Sequence, residues 1–419
     1  MNRSHEVESI VPEEKTQSLR ALDALNFCNA GIQTGLGPFM AIYYTVVRHW
    51  NPGQIGVLIA CQALSGIALQ SVAGNWVDES HHKRLLTASA GLIVALGAIG
   101  IVTLPNYAMQ IAVQIVIGLA VTIFPAATAA FALGMAEKDD LSGRVARNET
   151  FTHTGNVFFA IAAGAVGTLL VLQGIFIAAA VFAAGMVPAV FFIREEQVDY
   201  EAARGGDNQQ KQRSGWRDLA RDKRILTFTA CVVLYYFANA ATLPLVGEIL
   251  SQGKKGQSSA WQVAAMVIVA ETVMIGVAIL AGKLADQWGR KPLFVIGFAV
   301  LALRNALTVI SHNGFYLISL QALDGVAMGL YGVLLTLVTA DLAKGTGRFN
   351  FVQGAVQSAM GIGGVRSNGL FGWIAKLMGF NASFWGLTIV AIAGGILYQT
   401  RMPETKPQEN DQSEENAAA

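Results

Sequence analysis

Charge is what this 419-residue chain has least of: 14% of its residues are Asp, Glu, Lys or Arg, against about a quarter in an ordinary soluble domain. The deficit is concentrated, because residues 155 to 193 contain none of the four. Such runs exclude a solvated surface there, and about 20 apolar residues suffice for a helix to cross a bilayer. Cysteine is scarce too. Cys28, Cys61 and Cys231 all lie in apolar stretches, where an unpaired thiol behaves as a small hydrophobe, so no disulfide framework is expected. The net charge is only +1, with no basic stripe of the kind a nucleic-acid partner requires. Also missing are a glycine-rich phosphate loop, a nucleophile elbow and His residues at i, i+4 spacing; the "HH" at 81 and 82 does not qualify. Neither an enzyme, a bound metal nor a cofactor is expected. Residues 1–18 are polar and of mixed charge, without the apolar core of a cleavable signal peptide.

What is present is hydrophobicity: 53% of residues are apolar and the mean hydropathy is +0.46. Spans are predicted at 19–47, 54–77, 84–104, 107–134, 148–172, 174–193, 225–250, 260–284, 292–311, 314–340, 350–376 and 380–400. The expectation is therefore an all-α membrane protein of twelve transmembrane helices. It has a tail at 1–18, a six-helix bundle at 19–193, a polar linker at 194–224, a second six-helix bundle at 225–400 and a disordered tail at 401–419. Part of the linker, "WRDLARDKR", has the composition of either a surface-lying helix or a solvated connection.

Orientation follows from Lys and Arg. Of 29, 23 fall in the two tails, the linker and the connections on that same side. Arg48, Lys254, Lys255 and Lys376 fall opposite, so both termini are expected to be cytoplasmic.

The two halves repeat one another. "FCNA" at 27–30 returns as "FANA" at 237–240, making Asn29 and Asn239 repeat partners. Gln114, Gly118, Ala120 and Phe124 return as Gln321, Gly325, Ala327 and Tyr331, and "GR" at 143–144 returns at 347–348. The charged connection "GKLADQWGRKPLF" at 282–294 has its own echo, "GNWVDESHHKRLL" at 74–86. A glycine at such a helix end permits close backbone approach, and a carboxylate there suits the positive end of a neighbouring helix.

With these residues the chain resembles the major facilitator superfamily of secondary transporters over residues 19–400. The family signature of this connection is matched by Gly282, Leu284, Asp286, Gly289, Arg290 and Lys291. The first copy keeps Gly74, Asp78 and Lys83 but carries His81 and His82 where Gly and Arg are usual. The resemblance implies that each Asp grips the opposite bundle when the cytoplasmic side is closed. Asp286 would then sit near Arg144 and Arg147 at the start of the fifth helix, and Asp78 near Arg348 at the start of the eleventh.

Charges in mid-membrane are functional candidates by default. They are Glu271 in the eighth helix, Arg366 in the eleventh, Asp324 in the tenth and Arg304 in the ninth. Arg304 and Asp324 suit a structural ion pair. Glu271 is a candidate proton site. Arg366 is either a grip for an anionic substrate group or the partner of Glu271. Asn29, Asn239 and Gln114 are polar candidates for the cavity or for helix packing. Gln114 occupies the place of an Arg in many proton-coupled members of the family. Glu149 and His153, one turn apart, form either a proton relay or a local hydrogen-bonded pair.

The resemblance and the missing P-loop point to a proton-coupled carrier of a small organic solute in the cytoplasmic membrane. Export is taken over uptake because no uptake signature is recognisable; uptake, or a solute sensor or channel on the same scaffold, are the alternatives. The partners expected are a small-molecule substrate, protons and the lipid bilayer, with the chain acting as a monomer.

Overall fold

The computed structural model describes residues 13–35, 40, 43–44, 47–50, 52–136, 140–169, 172–205, 221–252 and 257–406. Among these, twelve long helices account for the architecture. The first six are α1 Glu13–Gly35, α2 Pro52–Glu79, α3 Lys83–Thr103, α4 Tyr107–Met135, α5 Leu141–Leu169 and α6 Gln173–Phe191. The second six are α7 Lys223–Leu250, α8 Gln257–Trp288, α9 Arg290–Thr308, α10 Gly314–Ala343, α11 Phe349–Met378 and α12 Phe380–Arg401. Nine helices among the described residues are individually long and apolar enough to cross a membrane. The other three, α1, α5 and α11, carry more polar or charged residues and draw their place from packing. Two breaks have a covalent cause. Pro125 and Pro244 have no N–H to offer the carbonyls of Val121 and Ala240, and α4 and α7 are interrupted at Thr122 and Ala241.

The buried apolar residues divide as the repeat does. One core draws on residues 21 to 203. Two others belong to the second half, joined among the described residues by buried Ala129, Val145 and Ala146 and part-buried Leu133 and Leu141 from the first. The helices thus form two six-helix bundles. Ends of helices are satisfied locally: the Asn313 side chain accepts from Phe315 and Tyr316 at the start of α10, and Asp222 accepts from Arg224 at the start of α7.

Two boundaries differ from expectation. α1 begins at Glu13, six residues before the first bundle was expected to start, and Ser18 is fully buried, receiving the backbone N–H of Arg194. Residues 402–406, expected to be loose tail, are bound: Met402 is buried, the Thr405 hydroxyl donates to Asp341 at 3.1 Å, and Glu404 makes the contacts described below. Most of "WRDLARDKR" lies outside the described residues.

The bundles meet as a wedge that is tight on the face carrying the linker. A Cβ on Gly74 of α2 would collide with the Asn350 carbonyl of α11, and one on Gly354 of α11 with the Gln70 carbonyl. Five helical turns away on the same faces, at about 3.6 residues per turn, stand Gly56 of α2 and Gly372 of α11. A Cβ at either would meet nothing within 4 Å. The two helices therefore touch at the linker face and part towards the far face. On the opposite side of the interface Gly282 of α8 lies against α5, where a Cβ would come within 2.5 Å of the Ala146 Cβ.

Candidate functional site

The two charged connections form unequal latches across this closed face. At the first, Asp78 of α2 takes the place of a capping residue for α11. Its carboxylate accepts from the backbone N–H groups of Asn350 (3.3 Å) and Phe351 (2.9 Å) and from the Asn350 side chain (2.7 Å). The first N–H groups of a helix have no partner within it and carry its positive end. Arg348 is not the partner expected for Asp78; its guanidinium donates to Asn75 Oδ1 at 2.7 Å. Lys83, buried, folds back to donate to the carbonyls of Val77 and Ser80, closing the turn.

At the second latch Asp286 accepts from the Ser142 hydroxyl at 2.6 Å, in the first turn of α5. Arg144 and Arg147 do not reach it. Both reach Asp23 of α1 instead, Arg144 buried and 2.5 Å from Asp23 Oδ1, Arg147 exposed and 2.8 Å from Oδ2. A buried carboxylate on α1 outcompetes an exposed one on α8, since Asp23 is 5% and Asp286 47% exposed. Arg290, itself buried, ties the latch together by meeting Asp286 (3.1 Å), Asp341 of α10 (3.3 Å) and Ser142 (3.3 Å). Gly289 has φ of 92°, a left-handed conformation open to glycine, and this starts α9 directly after α8. The Glu404 carboxylate then caps α9, accepting from the backbone N–H groups of Arg290 (2.8 Å) and Lys291 (3.0 Å). Partial burial opposes ionisation of Glu404, but four backbone N–H donors prevail and hold its carboxyl below the usual range. In the first half Glu195, just past α6, pairs with Arg84 at 2.9 Å.

Deeper between the bundles lies a cluster of ionisable groups. Glu271 of α8 is eleven residues from Gly282, about 16 Å at 1.5 Å each. Its carboxylate is 2.7 Å from His153 Nδ1 and accepts from Asn156 Nδ2 at 3.2 Å, both on α5. The other ring nitrogen of His153 stands 3.7 Å from Glu149. Glu149 in turn abuts α10, where a Cβ on Gly332 would lie 2.9 Å from its Oε2. Glu149, His153 and Glu271 thus form a carboxylate–imidazole–carboxylate series that crosses from one bundle to the other. His153 and Asn156 were visible in the sequence; what was missed is that they face Glu271.

The remaining candidates separate. Arg304, 1% exposed, stands 3.3 Å from Asp324 and donates to Asn239 (2.7 Å) and Gln321 (3.4 Å), joining α9, α10 and α7. Gln114 donates to the Tyr44 hydroxyl (3.2 Å), which donates to Gln110 (2.7 Å). Asn29 is buried in the first bundle, its Oδ1 without a hydrogen-bond donor among the described residues. Arg366 does not pair with Glu271. It is exposed on a face of α11 turned away from the other bundle, so the expectation that it lines the central cavity is overturned.

The model of the Major Facilitator Superfamily matches residues 22–303 and 229–419. An uncharacterised MFS-type transporter of Mycobacterium tuberculosis (strain H37Rv) is 38% identical over 393 residues, spanning 92% of this chain and 93% of its own. The multidrug transporter MdtP of Bacillus subtilis is 27% identical over 169 residues, 39% of this chain and 30% of its own. Among solved structures, the proton:xylose symporter XylE superposes with a TM-score of 0.69 at 14% identity, covering 94% of this chain and 96% of that one. The human organic anion transporter MFSD10 gives 0.71 at 15% identity, covering 92% and 99%.

Proposed function

Because the chain belongs to the major facilitator superfamily, we propose that it is a secondary active transporter that carries a small organic solute by alternating access, coupled to protons through Glu271. The observation that carries this reading is the bond between Glu271 and the His153–Asn156 pair. It joins the two bundles at a depth where a charge is costly unless it serves a purpose. For the linker face to open, α5 and α8 must separate there. Protonation of Glu271 removes the charge that strengthens its hydrogen bonds, so a proton arriving from the far side would release this contact. A carboxylate and an imidazole on opposite bundles thereby link proton occupancy to which face is closed.

The chain is placed in the cytoplasmic membrane with the linker and both termini in the cytoplasm, following the Lys and Arg asymmetry. Asp78 and Asp286 then act as cytoplasmic latches, and the wedge faces outward. Export is favoured, supported by the partial likeness to a multidrug transporter. The test is transport in proteoliposomes holding an internal pH dye, screened against metabolites, siderophores and lipophilic toxicants. Substrate-dependent proton movement opposite to solute supports export by antiport. Proton movement with solute would reverse the direction, and solute flux without any proton movement would refute the coupling.

Alternating access also makes two glycines opposite in effect. Gly74→Val introduces side-chain volume where α2 and α11 touch and disfavours the linker-closed state by about 1–3 kcal/mol, the usual cost of overpacking. Gly56→Val adds it where the helices are apart and leaves that state populated. Spin labels at His82→Cys and Lys344→Cys, one exposed site on each bundle at the linker face, are expected to separate in Gly74→Val and to stay close in Gly56→Val. Equal distance distributions in the two variants would contradict the wedge.

A further inference from the structure

Arg366 occupies a face of α11 that neither bundle contact uses. α11 meets α2 through Gly354, Ser358 and Gly361, and meets α7 through Gly363, Gly364 and Ser367. Five residues at about 100° each place Arg366 roughly 140° around the axis from Gly361. Around it the same face exposes Ile362 (45%), Leu370 (45%), Trp373 (61%) and Leu377 (59%), which is the composition of a lipid-facing stripe. Arg366 lines a groove between α7, α11 and α12 whose seven other lining residues, among them Val233, Phe237, Ile362 and Val390, are apolar or glycine.

Its depth makes the charge conspicuous. Arg366 is seventeen residues from the start of α11 and twelve from its end, about 26 and 18 Å along the axis. That puts it about 4 Å past the middle of α11, inside a hydrocarbon core about 30 Å thick, a depth at which an Arg is met by snorkelling and local thinning of the bilayer. A guanidinium remains charged there, yet no carboxylate lines the groove and, among the described residues, no ion pair includes Arg366. A cation at such depth needs an anion.

We propose that this groove binds one anionic phospholipid of the far leaflet, with its phosphate on Arg366 and an acyl chain along Val233, Phe237, Ile362 and Val390. The planar fork of a guanidinium matches two phosphate oxygens. A net charge of −1 neutralises the lone Arg. A zwitterionic lipid would bring an ammonium group for which the groove holds no acceptor carboxylate. The site sits beside α7 and α11, two helices of the second bundle, and is independent of the proton site.

The test is native mass spectrometry of the full chain after exchange into phosphatidylglycerol or phosphatidylcholine. The wild type is expected to retain one phosphatidylglycerol, and Arg366→Gln to reduce its occupancy at least tenfold, while Arg366→Lys keeps an intermediate share. A second arm needs only the wild type: thermal stability should rise with added phosphatidylglycerol and not with phosphatidylcholine at equal concentration. Equal retention of phosphatidylglycerol by the wild type and Arg366→Gln overturns the proposal. So does equal response of the wild type to both lipids, and that arm decides the matter if the variant fails to fold.

Discussion

Glu271→Gln is expected to abolish proton movement coupled to solute, and with it accumulation against a gradient, while leaving solute exchange across proteoliposomes at or near the wild-type rate. Gln can still accept from Asn156 and His153, so α5 and α8 can still meet there, though more weakly without the charge. What Gln cannot do is change charge. If Glu271 carries the proton, gradient-driven accumulation falls by at least tenfold and becomes independent of pH, whereas exchange, which needs no net proton transfer, persists. A structural role alone would predict the reverse: lower protein stability with coupling ratio unchanged. His153→Gln serves as a companion. Loss of the imidazole should slow coupled transport by roughly 100-fold, the lower end of the range for a positioned proton-transfer group, without removing the coupling.

The second large effect concerns stability. Arg304→Met should lower the thermal unfolding midpoint in detergent by on the order of 10 °C, a shift of the size that several kcal/mol produces in a unit of this length. Arg304 is buried with Asp324, Asn239 and Gln321 around its guanidinium. Deleting one member of a buried ion pair typically costs about 3–5 kcal/mol, because the other charge is left uncompensated. The double variant Arg304→Met with Asp324→Leu should recover most of the loss, since apolar replacement of both partners is often close to neutral. Equal destabilisation of the single and double variants would instead assign the cost to packing or to the two amides.

Sequence patterns reached the twelve helices and the two bundles because length and hydropathy determine where a helix can span, and duplication repeats the result. They reached Glu271, Arg304 and Asp324 because a charge in an apolar run is visible without a structure. They did not reach which way each side chain faces. In a soluble helix polarity separates the solvent face from the core, but here both lipid and protein interior are apolar. Arg366 was therefore expected against substrate or Glu271 when it lies towards lipid, and His153 was paired with Glu149 although it also faces Glu271. The latches show a related limit. Asp78 and Asp286 were placed at the right helix starts, but their partners across the bundles are backbone N–H groups, Asn350 and Ser142 rather than Arg348, Arg144 or Arg147. A helix start presents donors that the residue alphabet does not display, and the competing carboxylate that draws off Arg144 and Arg147, Asp23, lies more than a hundred residues earlier.

The central claim is that the charge on Glu271 helps to hold the linker face closed. It is tested most directly by the distance between spin labels at His82→Cys and Lys344→Cys as pH is lowered, in protein whose Cys28, Cys61 and Cys231 are replaced by Ala. Protonation of Glu271 removes the charge from its contact with α5, so once both His153 and Glu271 hold a proton the wild type should shift towards the longer distance. Glu271→Gln, already neutral, should show one distribution at every pH, weighted to the longer distance. The same pH-driven shift in Glu271→Gln as in the wild type would contradict the account.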